Sequence, residues 1–406
     1  MDGDPVARPA EFPPAPLRVH FGAISSDMPG GIPVTELALQ RACAATGEIV
    51  VRAFPFGRRR PDESLLERSL ERLADWWRYA WLTLRERPDL VQLNTAFNRR
   101  ALVRDVGYAF LARLLRQRLF LKLHGSDSDA LATRSRFWRW MTRSTFAGAA
   151  GIGVLSSEEK HDFVAAGYPD DRFHVVKNAV DATPFARAVW PRPGPPRLLF
   201  IARMVEGKGL LDVVRAARIL RDSGRDVRLT CVGDGPARRA CEALAHELGL
   251  GEAVHFTGFV PEAQAARFYL ESWILVLPSR AEGFSMSIFQ AVAAGLPVLT
   301  TRIRAAADYL REPDNVLWVE PSDPERLAAR VAWLLDQPDA MAAMSRNNRA
   351  LALAFAAETV AREYITLYRG LCAKPGRSAA HPLAAGGGTA AGRTPAGRRV
   401  AEGTPR

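Results

Sequence analysis

Residues 278–300 read PSRAEGFSMSIFQAVAAGLPVLT and follow the apolar run Trp273-Ile274-Leu275-Val276-Leu277. That run has the length and side chains of a buried strand, and Pro278 ends it because proline has no N–H to give to a sheet ladder. A polar loop follows. Beyond it, Ile288, Ala291, Val292 and Gly295 recur at i, i+3, i+4 and i+7, so one apolar helical face starts just past Glu282 and Gly283. Leu296-Pro297 stops the helix, and Val298-Leu299 opens the next strand. Strand, loop, helix and strand in this order build an open parallel sheet, whose ligands bind at loops leaving the carboxyl ends of the strands. Glu282 sits in such a loop.

The same unit recurs on both sides of a proline-rich segment. In the second half, Leu198–Ile201 reads as a strand, 202–209 as a loop holding Arg203 and Lys208, and Leu210–Ser223 as a helix. Strands at Val227–Val232 and Val254–Thr257 follow, then helices from Asp323 to Leu335 and through an Ala-rich region to about Tyr368. In the first half, strands are expected at Leu17–Ile24, Ile49–Phe54, Asp89–Leu93, Leu119–Leu123, Ile152–Leu155 and Phe173–Lys177. Helices are expected over 33–46, 62–87, 104–118 and 128–147. Trp190-Pro191-Arg192-Pro193-Gly194-Pro195-Pro196 separates the halves, since so many prolines exclude helix and strand alike. The expectation is an α/β protein of two Rossmann-like domains facing across a cleft, 17–190 and 191–356. Residues 1–16 and the basic, Gly- and Ala-rich tail 373–406 are expected to be disordered.

A chain of 406 residues exceeds what one core usually holds, which agrees with two domains. No apolar run approaches the twenty residues of a membrane span, and no basic segment followed by an apolar core marks a signal peptide. Cys43, Cys231, Cys241 and Cys372 lie far apart with no C-x-x-C pair, so neither a zinc site nor a disulfide framework is indicated and a reducing cytoplasm fits. Dinucleotide and Walker A fingerprints are both missing. The net charge of +11 is uneven: from Arg99 to Arg143 the chain carries eleven basic residues, against Asp105, Asp127 and Asp129. Such a patch attracts polyanions, whether nucleic acid, anionic lipid or a phosphorylated substrate. Arg134, Arg136, Arg139 and Arg143 alternate with Phe137, Trp138, Trp140 and Met141, and Leu70, Leu73, Trp77 and Leu84 fall close to one stripe of 62–87. Both segments suit helices lying on an anionic membrane surface. A solvated charged face backed by core aromatics is the other reading.

Glu282-Gly283-Phe284, then a polar residue eight positions after the Glu, then Ala-x-Ala-x-Gly-x-Pro-Val resembles the donor-site signature of retaining, nucleotide-sugar-dependent GT-B glycosyltransferases, family 4 in particular. The resemblance covers roughly 17–371. It implies that Glu282 holds the donor sugar, with Gly283, Phe284, Ser285 and Met286 forming the helix-entry loop. A second Glu holds the ribose in that family, and here that position is Gln290, an amide that lacks charge-assisted strength. Pairing of Gln290 with Ser287 in a capping box is the alternative. Arg203 and Lys208 match the pair that grips the diphosphate. Gly30-Gly31 matches a glycine pair bringing backbone amides to the diphosphate from the opposite domain. His124-Gly125-Ser126-Asp127 matches the loop facing the transferred sugar, which implies catalytic roles for His124, orienting or stabilising that sugar as its bond loosens, and for Glu282. A final helix over about 357–372 is implied to cross back to the first domain.

The implied reaction moves a sugar from a nucleoside diphosphate donor to a hydroxyl on a sugar, lipid-linked or small-molecule acceptor, in polysaccharide, glycolipid or glycoconjugate synthesis. No cofactor and no metal is implied. Rival readings are a GT-B epimerase or phosphorylase, separated by donor hydrolysis without acceptor or by phosphate dependence, and a catalytically inactive basic protein that binds nucleic acid. No RNA-binding or helix-turn-helix motif accompanies the charge, so a specific nucleic-acid partner is not expected.

Overall fold

The protein is described from a computed structural model, which places residues 15–23, 31–56, 64–126, 131, 133–192 and 194–373. The first half forms a six-stranded sheet in the order β2-β1-β3-β4-β5-β6. Its strands are β1 (Leu17–Ala23), β2 (Ile49–Pro55), β3 (Leu90–Phe97), β4 (Leu119–Ser126), β5 (Gly151–Val154) and β6 (Phe173–Val175). The second half forms a sheet in the order β12-β11-β10-β7-β8-β9, from β7 (Arg197–Ile201), β8 (Arg228–Val232), β9 (Val254–Gly258), β10 (Ile274–Leu277), β11 (Val298–Thr300) and β12 (Val316–Trp318). All paired strands run parallel. Both sheets belong to one unit of the chain, Met1–Lys374.

Right-handed crossovers decide which face each helix covers. Helix α1 (Gly31–Ala45) carries the chain from β1 outward to β2 and lies on one face of the first sheet. Helices α2 (Leu65–Glu86), α3 (Arg99–Leu114) and α4 (Arg136–Ala147) carry it the other way and lie on the opposite face. Phe54, Tyr79, Leu102, Tyr108 and Phe146 form a core with the sheet on that side. On the α1 side, Val19, Leu39 and Phe120 belong to a core that continues into the second half through Tyr364 and Tyr368. Those tyrosines sit on the last helix, Ala357–Ala373, which packs against α1.

Several boundaries differ from the sequence reading for local reasons. The helix expected over 104–118 begins at Arg99 because the Asn98 side chain accepts from the Ala101 N–H at 2.9 Å and caps it there. Of the helix expected over 128–147, residues 128–130 and 132 lie outside the described residues, 133–135 are not helical, and Arg136–Ala147 is a helix capped by Ser135. Strands β3 and β4 run further than their apolar cores, so Asn94, Thr95 and His124 are strand residues rather than loop residues. The Ala-rich region breaks into Pro338–Ala352, a turn at Leu353–Phe355 and Ala357–Ala373. The segments expected to be disordered lie almost wholly outside the described residues.

Candidate active site

Two loops at the carboxyl edge of the second sheet are tied together around Glu282. Lys208 Nζ stands 2.6 Å from Glu282 Oε1, and the Ser279 hydroxyl donates to the same oxygen at 2.8 Å. Lys208 arrives on a tight turn, Glu206–Lys208, after β7. Gly209 follows with φ +74°, and a Cβ there would lie 2.6 Å from the Pro278 carbonyl oxygen, so only glycine lets the loops approach this closely. The Arg280 N–H donates to the Gly207 carbonyl at 2.8 Å, and the Thr301 hydroxyl to the Ser279 carbonyl at 2.5 Å. The carboxylate is thereby fixed before any ligand arrives.

Arg203 lies at the start of the same loop, exposed, and its side chain has no partner among the described residues. Phe284 is buried, its ring stacked on Phe289 at 4.0 Å between centroids and packed edge-on to Phe355. Its side chain therefore shapes the loop from beneath. Ser285 is the N-cap of the helix Met286–Ala293 and makes no side-chain cap bond, which leaves the helix entrance to an anion. Met286 is half-buried against the core. Gln290 is not in a capping box with Ser287: its carbonyl accepts from the Tyr269 hydroxyl at 2.8 Å, and its amide group donates to Glu262. A carboxylate thus stands beside the amide at this position.

Across the cleft, His124 belongs to a buried polar network that the sequence reading missed. Lys122, fully buried in β4, places Nζ 2.5 Å from Glu36 Oε1 on α1. The Gln92 amide donates to Glu36 Oε2 at 2.9 Å and to Asn94 Oδ1 at 3.0 Å, and accepts from the Tyr368 hydroxyl on the last helix. His124 Nε2 lies 3.4 Å from both Glu36 Oε1 and Asn94 Oδ1. Burial pushes the Glu36 carboxyl up, but Lys122 and His124 outweigh it and hold the group at about 2, so it is ionised. Burial lowers both His124 and Lys122. The imidazole is neutral at pH 7, while Lys122, bonded to an ionised Glu36, keeps its charge. With two acceptor oxygens facing Nε2, the ring proton sits there. The signal for this network was present: a lysine inside Leu119-Phe120-Leu121-Lys122-Leu123 requires a buried counter-charge.

The two sides meet at Gly283. A Cβ built there would come 3.7 Å from the His124 carbonyl oxygen and 3.8 Å from the Gly125 Cα. The histidine therefore turns its backbone carbonyl toward the Glu282 loop, whereas its side chain, expected to face the sugar, is turned into the first domain. A clasp lies nearby: Arg304 Nη1 donates to the Ser126 hydroxyl at 2.7 Å and stands 3.5 Å from buried Glu159, and the Ser157 N–H donates to Asp308 at 2.7 Å. The Ala305 N–H reaches the Gly283 carbonyl at 3.4 Å, so the clasp and the loop are joined. Of the glycine pair, Gly30 lies outside the described residues and Gly31 begins α1.

Known proteins match this arrangement in both halves. A glycosyl transferase 4-like domain matches residues 28–179, and a glycosyl transferases group 1 domain matches residues 183–351. The 2-deoxystreptamine glucosyltransferase of Streptomyces kanamyceticus is 33% identical over 223 residues, covering 52% of this chain and 57% of the relative. Glycogen synthase of Mycobacterium tuberculosis is 31% identical over 211 residues, 51% of this chain and 50% of the relative. The chain thus spans about half the length of the curated relatives it matches. Among solved structures, a glycosyltransferase from Rickettsia africae has a TM-score of 0.71 at 15% identity, covering 89% of this chain and 100% of that one. HepE of Anabaena, in complex with UDP and glucose, has a TM-score of 0.66 at 18% identity, covering 87% and 99%. With a glycosyl transferase 4-like domain followed by a group 1 domain, and two parallel sheets facing across the Glu282–His124 cleft, the chain belongs to the family 4 type of GT-B glycosyltransferases.

Proposed function

We propose that the protein transfers a sugar from a nucleoside diphosphate donor to an acceptor hydroxyl with retention at the anomeric carbon. The observation that carries this reading is the Lys208–Glu282 pair at a helix entrance, facing the His124 carbonyl across the cleft. When the bond from the anomeric carbon to the diphosphate oxygen breaks, its electron pair leaves with the diphosphate. Lys208, Arg203 and the helix-entry amides after Ser285 would meet that growing negative charge. The sugar becomes electron-poor, and the His124 carbonyl offers a lone pair on that side. Glu282, held by Ser279, accepts hydrogen bonds from donor hydroxyls, while Gln290 and the adjoining Glu262 face the ribose. By the family resemblance, the Gly30-Gly31 pair would add backbone amides to the diphosphate. The acceptor oxygen bonds to the anomeric carbon as its proton passes to the departing phosphate oxygen. No cofactor enters this scheme.

The acceptor is a sugar, lipid-linked or small-molecule hydroxyl. A cytoplasmic setting is supported by the four cysteine thiols, all free and three of them buried. Among the described residues no helix is long and apolar enough to cross a membrane.

A thermal-shift panel of nucleoside diphosphates tests the reading, because a ligand that binds only the folded state raises its melting temperature. One nucleoside diphosphate should raise it clearly, and Lys208→Ala should weaken that ligand about tenfold or more, the size of a lost charge-assisted contact. If no nucleoside diphosphate shifts the wild-type transition, the proposal fails.

A further inference from the structure

Helix α2 presents its apolar face to solvent. Leu70, Leu73, Trp77, Trp81 and Leu84 fall on one stripe, with Trp77 69% and Leu84 63% exposed. The opposite stripe, turned to the sheet, holds Asp75, Tyr79 and Leu82, all buried. A helix whose only task was to cover a core would have these faces the other way round. Trp77 and Trp81 stack on each other with ring centroids 6.4 Å apart, and the Arg85 guanidinium lies 5.0 Å from the Trp81 ring.

The exposed apolar side chains continue across the neighbouring helices. Helix α3 packs against α2 on one side and α4 on the other. It exposes Val103, Phe110 and Leu114, with Phe110 62% accessible, and α4 exposes Phe137 and Trp140. Around them Arg72, Arg85, Arg99, Arg100, Arg136 and Arg139 are exposed as well. A monomer rarely leaves so many large apolar side chains together in water. The layer lies on the face of the first sheet opposite α1 and the final helix.

We propose that this outer layer, α2 with the flanking faces of α3 and α4, seats the protein on an anionic lipid bilayer. The α2 stripe would lie in the interface, and the arginines would meet lipid phosphates. The chemistry favours this occupant: tryptophan rings gain from a site that is apolar on one side and wet on the other, and arginine forks pair with phosphate. Each exposed arginine near a negatively charged surface adds attraction that salt screens. A second copy of the chain fits poorly, because a two-fold contact would set this arginine-rich face against itself. The donor site takes no part in the argument, so its failure would leave the proposal standing.

The test is sedimentation of the full chain with vesicles of phosphatidylcholine alone and of phosphatidylcholine with about one-third phosphatidylglycerol. Wild-type protein should bind the anionic vesicles and be released by high salt. The double variant Trp77→Ser, Trp81→Ser should bind at least about tenfold more weakly, since it loses the interfacial rings but not the fold. Trp333→Ser, an exposed tryptophan in the second half, should bind as wild type. Unchanged circular dichroism and melting of the double variant excludes misfolding as the cause. The proposal is overturned if wild-type protein ignores anionic vesicles at low salt, or if the double variant binds them equally well. It is also overturned if the wild type is a dimer that the double variant dissolves without any vesicle binding.

Discussion

Gln290 stands where the family resemblance implies a carboxylate, and a carboxylate is nonetheless beside it. Glu262, at the head of its helix, takes the hydrogen bond from the Gln290 amide group, and the Tyr269 hydroxyl closes the other side. Gln290→Glu would put two carboxylates in hydrogen-bond contact, so one of them would resist ionising. The expected result is a loss of about 1 kcal/mol at neutral pH, recovered as the pH falls and one carboxylate takes up a proton. Melting temperatures of variant and wild type compared at pH 5 and 8 check this. A variant as stable as wild type at pH 8 would show that the two side chains do not meet. Neither partner was legible as a pair in the sequence: Glu262 lies 28 residues away on a different helix, and only the parallel sheet brings them together. Glu282 was legible, because its strand, loop and helix are continuous in the chain. Its contact with Lys208 depends on Gly209, whose left-handed turn the sequence permitted without requiring.

Strand β4 shows how an element can carry chemistry that its pattern conceals. Its nearly continuous run of large apolar residues predicts a strand, yet Lys122 and His124 project from it into the same buried network as Glu36 of α1. Removing one member of a buried ion pair leaves the other uncompensated. Glu36→Gln is therefore expected to cost about 3–5 kcal/mol in a urea titration, while Glu36→Gln with Lys122→Met recovers much of that loss. The network also sets an acid limb. The His124 value is lowered on folding, so the unfolded chain takes up a proton that the folded one does not, and stability drops as pH falls below 6.5. Glu36, lowered from 4.5 to about 2, is worth about 3 kcal/mol above pH 4.5, and this is lost as pH descends toward 2. His124→Gln should flatten the first part of that curve and shrink the second, because His124 is one of the groups that hold Glu36 low. A wild-type curve that stays level from pH 7 down to 2 would contradict both assignments.

At the largest scale, the two sheets were readable because repeated strand and helix periods are local signals. How the halves face each other was not, since the groups that join them are scattered singles. Arg304 is one of these: it reaches Ser126 at the end of β4 and the paired acids Glu158 and Glu159, while its neighbour Ala305 holds the carbonyl of Gly283. The contact between domains and the posture of the Glu282 loop thus share one short helix, Arg304–Tyr309. In a transferase working in a cleft, closure excludes water from the activated sugar. Arg304→Ala removes the charge that holds Glu158 and Glu159 without touching Glu282 or Lys208. Binding of a nucleoside diphosphate should persist within a few-fold, while transfer slows and the share of donor lost to water rises. Comparing nucleoside diphosphate release with and without acceptor reads that share directly. If the variant transfers as fast as wild type with an unchanged share of hydrolysis, Arg304 does not govern closure. If it loses nucleotide affinity outright, its role lies in shaping the Glu282 loop through Ala305, which would place the weight of this clasp on the donor side alone.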